Sequence, residues 1–357
     1  VPEDDSRIRS LSRYKKRKKN TGEKMKKKII IITTGGTIAM RKESDVIIPS
    51  QLGNQKISEL SGLEEFGRIE TIDFCNLPSP HMTPEKMFEL SRLVQKVVDD
   101  QQVNGVVITH GTDTLEETAY MLDLTVKTRK PIILTAAMRN INELGTDGPR
   151  NVFSSVEVAA SKYSVGCGTV ICLNDEIHAA REVTKTYTSN VATFDSPGFG
   201  PLGIVDEDGV FFFRKSLRRT YIKTDTIESK TSLLKTFTGD NGEFIDYARE
   251  MGTKGIVLEG FGRGNVPPQL TGPIKRCIAE NIPIVLVSRC YKGRVLDIYG
   301  YEGGGASLKQ AGVILGHEQS GQKAKIKLMV LLGSGKTMEE IRDSFEISTY
   351  EPDTRAF

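Results

Sequence analysis

The chain repeats one rhythm: a short apolar run, a stretch of glycines and hydroxyls, then an amphipathic segment. The apolar runs are IIII at 29–32, GVVIT at 105–109, PIILT at 131–135 and GTVICL at 168–173. Runs this short suit buried strands better than helices. Between them, residues 85–98 place Met87, Leu90, Val94, Val97 and Val98 near one face at helical spacing. Residues 115–126 and 148–160 fit helices of similar length. Strand, helix, strand in this order predicts an α/β fold with a largely parallel sheet.

The rhythm breaks between about 195 and 230. SPGFGPLG is loop-rich, and GVFFFRKSLRRTY reads as a hairpin strand followed by a basic linker. A second series then begins: helix near 243–251, strand 255–259, helix 268–280, strand 283–288, helices 322–332 and 337–345. The expected organisation is two α/β domains, each with a largely parallel sheet flanked by helices. The larger covers 25–215 and the smaller 233–357, joined by a linker at 216–232. No internal repeat stands out.

Charge separates the first residues from the rest. Residues 1–28 hold 12 Lys/Arg and 4 Asp/Glu, leaving 37 against 42 for the remainder. Residues 1–24 read as a basic, disordered tail or an appended leader, and Met25 would suit a native start. A basic tail could bind nucleic acid; composition favours the solvated tail, so neither nucleic acid nor membrane is an expected partner. No apolar run reaches membrane-spanning length, and 29–32 is too short for a signal peptide. The cysteines 75, 167, 172, 277 and 290 are odd in number and form no C-x-x-C pair. This is reduced, cytoplasmic usage rather than a disulfide framework or zinc site.

Two motifs sit where strands should end. TTGGTIA follows the first strand, and ITHGTDTLEETA spans 108–119. In an open parallel sheet, ligands bind beyond the carboxyl ends of the strands. Glycine there permits a sharp turn and close approach. The spacing Thr114-x-x-Glu117 predicts a capping box, which accounts for part of the second motif but not for Thr112 or Asp113. A third stretch, REVTKTYTSNVATFDSP at 181–197, sets Lys185 among hydroxyls. A lone lysine is usually solvated, yet a hydroxyl nucleophile needs a base and a desolvated lysine can serve.

Other readings fall away. LLGSGKTMEE at 331–340 imitates a phosphate loop but has Val330 where glycine is required. Gly333-Ser334-Gly335 reads instead as a helix-to-helix turn, with Thr337-x-x-Glu340 capping the second helix. His81, His110, His178 and His317 lack ligand spacing, so no metal and no cofactor is expected. There is no G-x-S-x-G elbow.

Taken together, TGGTIA at 34–39, HGTDT at 110–114, AAMR at 136–139, DGPRN at 147–151, the Lys185 segment and GFGRGNVP at 260–267 resemble the bacterial-type L-asparaginase family, over about residues 26–350. The resemblance implies hydrolysis of L-asparagine to L-aspartate and ammonia, with glutamine as a poorer substrate. It implies Thr37 as nucleophile, forming an acyl-enzyme, and Thr112, Asp113 and Lys185 as the second catalytic group. It places Gly36, Ser79, Pro80, Gly111, Thr112, Asp113 and Ala137 around the substrate, with Ser79 on the α-carboxylate and Asp113 on the α-ammonium. Asn265 and Glu302 would reach a neighbouring subunit's site, which makes the enzyme a homo-oligomer, dimer or tetramer.

The chain departs from the family pattern twice. Pro80 follows Ser79 where many members have a polar residue, and residues 41–70, a polar segment expected to form an irregular lid, contain no tyrosine. Gly35 and Gly36 are expected to clear space for the substrate and Ile38 to re-enter the core. Two alternatives remain beside the asparaginase: the amidase component of a glutamyl-tRNA amidotransferase, and a non-catalytic amino-acid-binding protein.

Overall fold

The structure is a computed structural model that describes residues 27–36, 38, 40–43, 46–49, 60–216 and 219–346. The tail at 1–24 and Thr37 lie outside the described residues. The opening run becomes β1 (Lys28–Gly35), buried along almost its whole length. A hairpin, β2 (Met40–Glu43) with β3 (Val46–Pro49), follows. It corrects the expectation that residues 41–70 begin without regular structure; of that segment, 44–45 and 50–59 lie outside the described residues. Next come β4 (Arg68–Leu77), α1 (Pro84–Asp99), β5 (Val103–Thr109), α2 (Leu115–Thr125), β6 (Ile132–Thr135), α3 (Gly148–Ala160) and β7 (Thr169–Leu173). The first half ends with β8 (Glu176–Ala179), two short strands β9 (Thr184–Lys185) and β10 (Phe194–Asp195), and a hairpin of β11 (Gly203–Asp206) and β12 (Gly209–Phe212).

Eight of these strands form one sheet in the order β12-β11-β8-β7-β6-β5-β1-β4. The five from β7 to β4 are mutually parallel. The other three add antiparallel at one edge. The alternation of β1 explains why its run is wholly apolar. Ile30 and Ile32 pack with Leu90 and Val94 of α1, whereas Ile29 and Ile31 pack with Val152 and Val156 of α3. Both faces are covered, so every residue must be apolar.

β4 escaped the sequence reading. It lies at the sheet edge beside β1, and its RIETIDFCNL is only partly buried. An edge strand with polar positions lacks the continuous apolar signal of its neighbour.

The second half builds a four-stranded parallel sheet, β13 (Ser232–Lys235), β14 (Ile256–Gly260), β15 (Ile284–Ser288) and β16 (Ile314–Leu315), in sequential order. Its helices are α4 (Glu243–Glu250), α5 (Thr271–Ala279), α6 (Gly305–Gln310), α7 (Gly321–Gly333) and α8 (Met338–Glu346). The two domains share a core: Met87 and Phe88 of α1 and Met121 and Leu124 of α2 join Val257, Val285, Leu328 and Met329 in one apolar cluster.

Candidate active site

The chain runs from β1 to β4 on one side, then crosses to β5 on the other. This reversal opens a crevice at the carboxyl ends of β1 and β5, the place where such sheets bind ligands. Both glycine–hydroxyl motifs fall there. Thr33 Oγ1 donates to Asp73 Oδ1 at 2.6 Å, and Thr34 Oγ1 donates to the Thr109 carbonyl at 2.9 Å. These buried hydroxyls tie the ends of β4, β1 and β5 together.

The two glycines after them answer to the backbone. Gly35 and Gly36 have φ of 100° and 83°. A Cβ on Gly35 would lie 2.5 Å from Leu77 N, and one on Gly36 would lie 2.4 Å from Gly111 Cα. The space they clear is therefore filled by main chain, which corrects the expectation that they open room for substrate. The glycines bring the first motif into direct backbone contact with the second.

Ser79 lies under that contact, buried at the start of a single 3-10 turn, Ser79–His81. Its Oγ accepts the Asp113 amide at 3.1 Å, and its carbonyl accepts Thr114 Oγ1 at 2.8 Å. Thr114 therefore does not close a capping box on α2: its side chain makes no cap hydrogen bond and is engaged by Ser79 instead. Pro80 is exposed beside it.

His110 holds the turn from within. It is fully buried, and burial pushes its pKa down to about 4. The ring is neutral at pH 7. Nδ1 lies 2.8 Å from the Gly111 carbonyl and Nε2 lies 3.0 Å from Thr118 Oγ1. A carbonyl only accepts, so Nδ1 carries the proton and Nε2 accepts from the threonine.

The titratable cluster lies at the mouth. Lys185 Nζ donates to Thr112 Oγ1 at 2.9 Å and to Asp113 Oδ1 at 2.7 Å. Thr112 is 7% exposed and the lysine side chain 17%, whereas the Asp113 side chain is 56% exposed. A hydroxyl and an ammonium are thus largely withdrawn from water while the carboxylate faces out. Such a set can move a proton between a hydroxyl and an amine and hold a cationic group in front of them.

Thr112, Asp113, Lys185, Ser79, Gly36 and Gly111 are brought together. Ala137 is buried in the apolar cluster that contains Ile38, as expected of Ile38's return to the core. Asn265 and Glu302 make their hydrogen bonds elsewhere: Asn265 Oδ1 accepts the Gly305 amide at 3.4 Å, and Glu302 Oε1 accepts Thr271 Oγ1 at 3.2 Å. Glu116 was missed. It is buried beside Thr184 and Lys185, and its only sequence signal was its place in the second motif. No group of histidines, cysteines and carboxylates among the described residues could hold a metal ion.

Fold and site together define a two-domain α/β enzyme with a threonine–lysine–aspartate cluster at the switch point of a parallel sheet. The comparisons with known proteins narrow this further. Residues 28–218 match the asparaginase N-terminal model, and 230–345 match the glutaminase/asparaginase C-terminal domain. The chain belongs to the asparaginase family of amidohydrolases. An L-asparaginase of Bacillus licheniformis is 39% identical over 87% of this chain and 96% of its own. A probable L-asparaginase of Deinococcus radiodurans is 38% identical over 87% of this chain and 94% of its own. Among solved structures, a probable cytoplasmic L-asparaginase from Campylobacter jejuni superposes with a TM-score of 0.81 at 30% identity, covering 90% of this chain and 99% of that one.

Proposed function

We propose that the protein hydrolyses L-asparagine to L-aspartate and ammonia through an acyl-enzyme on Thr37. The observation that carries this reading is Lys185 Nζ held between Thr112 Oγ1 and Asp113 Oδ1. Gly36 lies against Gly111, and Thr37 is the next residue in the chain. In this mechanism the Thr37 proton passes through water to the amide nitrogen that will leave, and its Oγ bonds to the side-chain amide carbon. Backbone amides of the glycine turns stabilise the oxyanion, the largest usual contribution in acyl transfer. The C–N bond then breaks and ammonia leaves with a proton. Water, activated by the Thr112–Lys185 pair, cleaves the ester and frees aspartate.

Ser79 would donate to the substrate α-carboxylate, since its Oγ already accepts the Asp113 amide and its own proton remains to be given. Exposed Asp113 would take the α-ammonium. Pro80 removes a backbone donor beside this grip, and glutamine is the poorer substrate. Asn265 and Glu302 would complete the site of a neighbouring copy in a dimer or tetramer. A cytoplasmic setting agrees with the free cysteines.

Ammonia release from L-asparagine and L-glutamine, measured with wild type and Thr37→Ala, tests the proposal. Release from asparagine that Thr37→Ala abolishes is expected. No release from folded wild-type protein would overturn it, and light scattering that finds a monomer would overturn the shared site.

A further inference from the structure

Lys185 stands on β9, a strand of two residues that pairs only with the equally short β10 and belongs to neither large sheet. Its ladder is too small to fix a side chain by itself. Other groups grip the segment from the side. Glu116, in the first turn of α2, accepts Thr184 Oγ1 at 2.9 Å and the Lys185 amide at 3.2 Å, both on Oε1. Its Oε2 turns the other way, to Gln322 Nε2 at 3.3 Å and Lys323 Nζ at 3.6 Å, both on α7 of the small domain. Lys323 Nζ in turn donates to the Val183 carbonyl. Lys323 thus holds residue 183 and Glu116 holds residues 184 and 185, and the two side chains are only 2% and 5% exposed.

We propose that Glu116 and Lys323 are positioning residues, which set the backbone of Lys185 so that its ammonium meets Thr112 and Asp113. The inference rests on the catalytic role proposed above for Lys185. It makes the small domain a part of the active centre within one chain, through α7. A plain inter-domain ion pair would need only the Glu116–Lys323 contact. The second carboxylate oxygen on the lysine-bearing strand, and the lysine's own bond to the preceding carbonyl, are what a positioning role requires. Glu116 also belongs to the helix that Thr112 and Asp113 introduce, so one side chain references both halves of the cluster.

The test is steady-state hydrolysis of L-asparagine by Glu116→Ala, Glu116→Gln, Lys323→Met and Thr184→Val, with Lys185→Met as the reference and circular dichroism to count folded enzyme. Misplacing a reacting group by about an ångström costs about a hundredfold in rate. Glu116→Ala and Lys323→Met should lose about that much in kcat per folded molecule, with KM within about threefold. Glu116→Gln keeps an acceptor for the Lys185 amide and should recover part of the loss. Unchanged kcat in Glu116→Ala and Lys323→Met, with Lys185→Met inactive, overturns the positioning role and leaves the site reading intact. Full activity in Lys185→Met overturns the site reading itself. If Glu116→Ala and Lys323→Met fail to fold, Thr184→Val and Glu116→Gln decide: a fall in kcat at constant KM supports positioning, and unchanged kcat in both overturns it.

Discussion

At the residue scale, the site is set by where backbone meets backbone and where a charge loses water. A methyl on Gly36 would strike Gly111 Cα at 2.4 Å and face a left-handed φ. Gly36→Ala should therefore cost more than about 2 kcal/mol, read as a lowered denaturation midpoint with activity lost. Two groups withdrawn from water, His110 wholly and Glu117 in part, give opposite pH signatures. His110 is held neutral, so as pH falls the unfolded chain takes up a proton first. Its contribution is complete above about 6.5 and is lost toward 4. It is worth about 3 kcal/mol in all, and the imidazole NMR signal should stay neutral down to about pH 5. Burial, with Glu116 adding to it, pushes the Glu117 carboxyl up to about 7. One oxygen of that carboxyl has no hydrogen-bond partner. Its contribution is present below about 4.5 and is lost as pH rises to 7. Glu117→Gln should gain stability over wild type across that window, approaching about 3 kcal/mol, in denaturant melts at pH 5 to 8. The residues of both motifs were legible because glycines and hydroxyls after an apolar run have few structural uses. Glu116 was not, because only the fold places it beside residues 184 and 185, far along the chain.

At the element scale, one capping pattern had two outcomes. Thr337 and Glu340 form the reciprocal box that the spacing predicts: the Thr337 amide donates to Glu340 Oε2 at 2.9 Å and the Glu340 amide to Thr337 Oγ1 at 3.2 Å. They start α8 after the turn through Gly333, Ser334 and Gly335. Thr337→Ala should cost about 1 kcal/mol in thermal or chemical unfolding. The same spacing at Thr114 and Glu117 gave no box, because Ser79 arrives from 35 residues away and takes the hydroxyl. Local pattern offers a hydrogen bond, and a distant strand end can claim it instead. Every helix except the short α6, and the parallel strands β1, β5, β6, β7, β14 and β15, were readable, since continuous burial leaves continuous apolar runs. β4, β8 to β11, β13 and β16 were not, because edge, antiparallel and isolated strands are short or carry mixed polarity.

At the scale of the whole molecule, α1 and α2 have two tasks. They cover one face of the large sheet and also face the small domain, in a cluster that runs from Met121 to Leu328. The domains should therefore unfold together. Leu328→Ala, fully buried in that cluster, should cost about 2–5 kcal/mol and move a single calorimetric transition; two separated transitions would show that the domains are independent. The polar side of the same seam carries Glu116, Gln322 and Lys323 to the lysine. The sequence by itself determined the α/β class, the two series of strands and helices, and the motifs at the strand ends, because burial and turn geometry impose short-range patterns on residue choice. The tertiary structure alone decided that Gly36 meets Gly111, that Thr114 serves Ser79, and that Glu116 meets Lys323 of the other domain beside residues 183 to 185. Those contacts join residues far apart in the chain, and no periodicity records which distant group will reach a given hydroxyl, amide or carboxylate first.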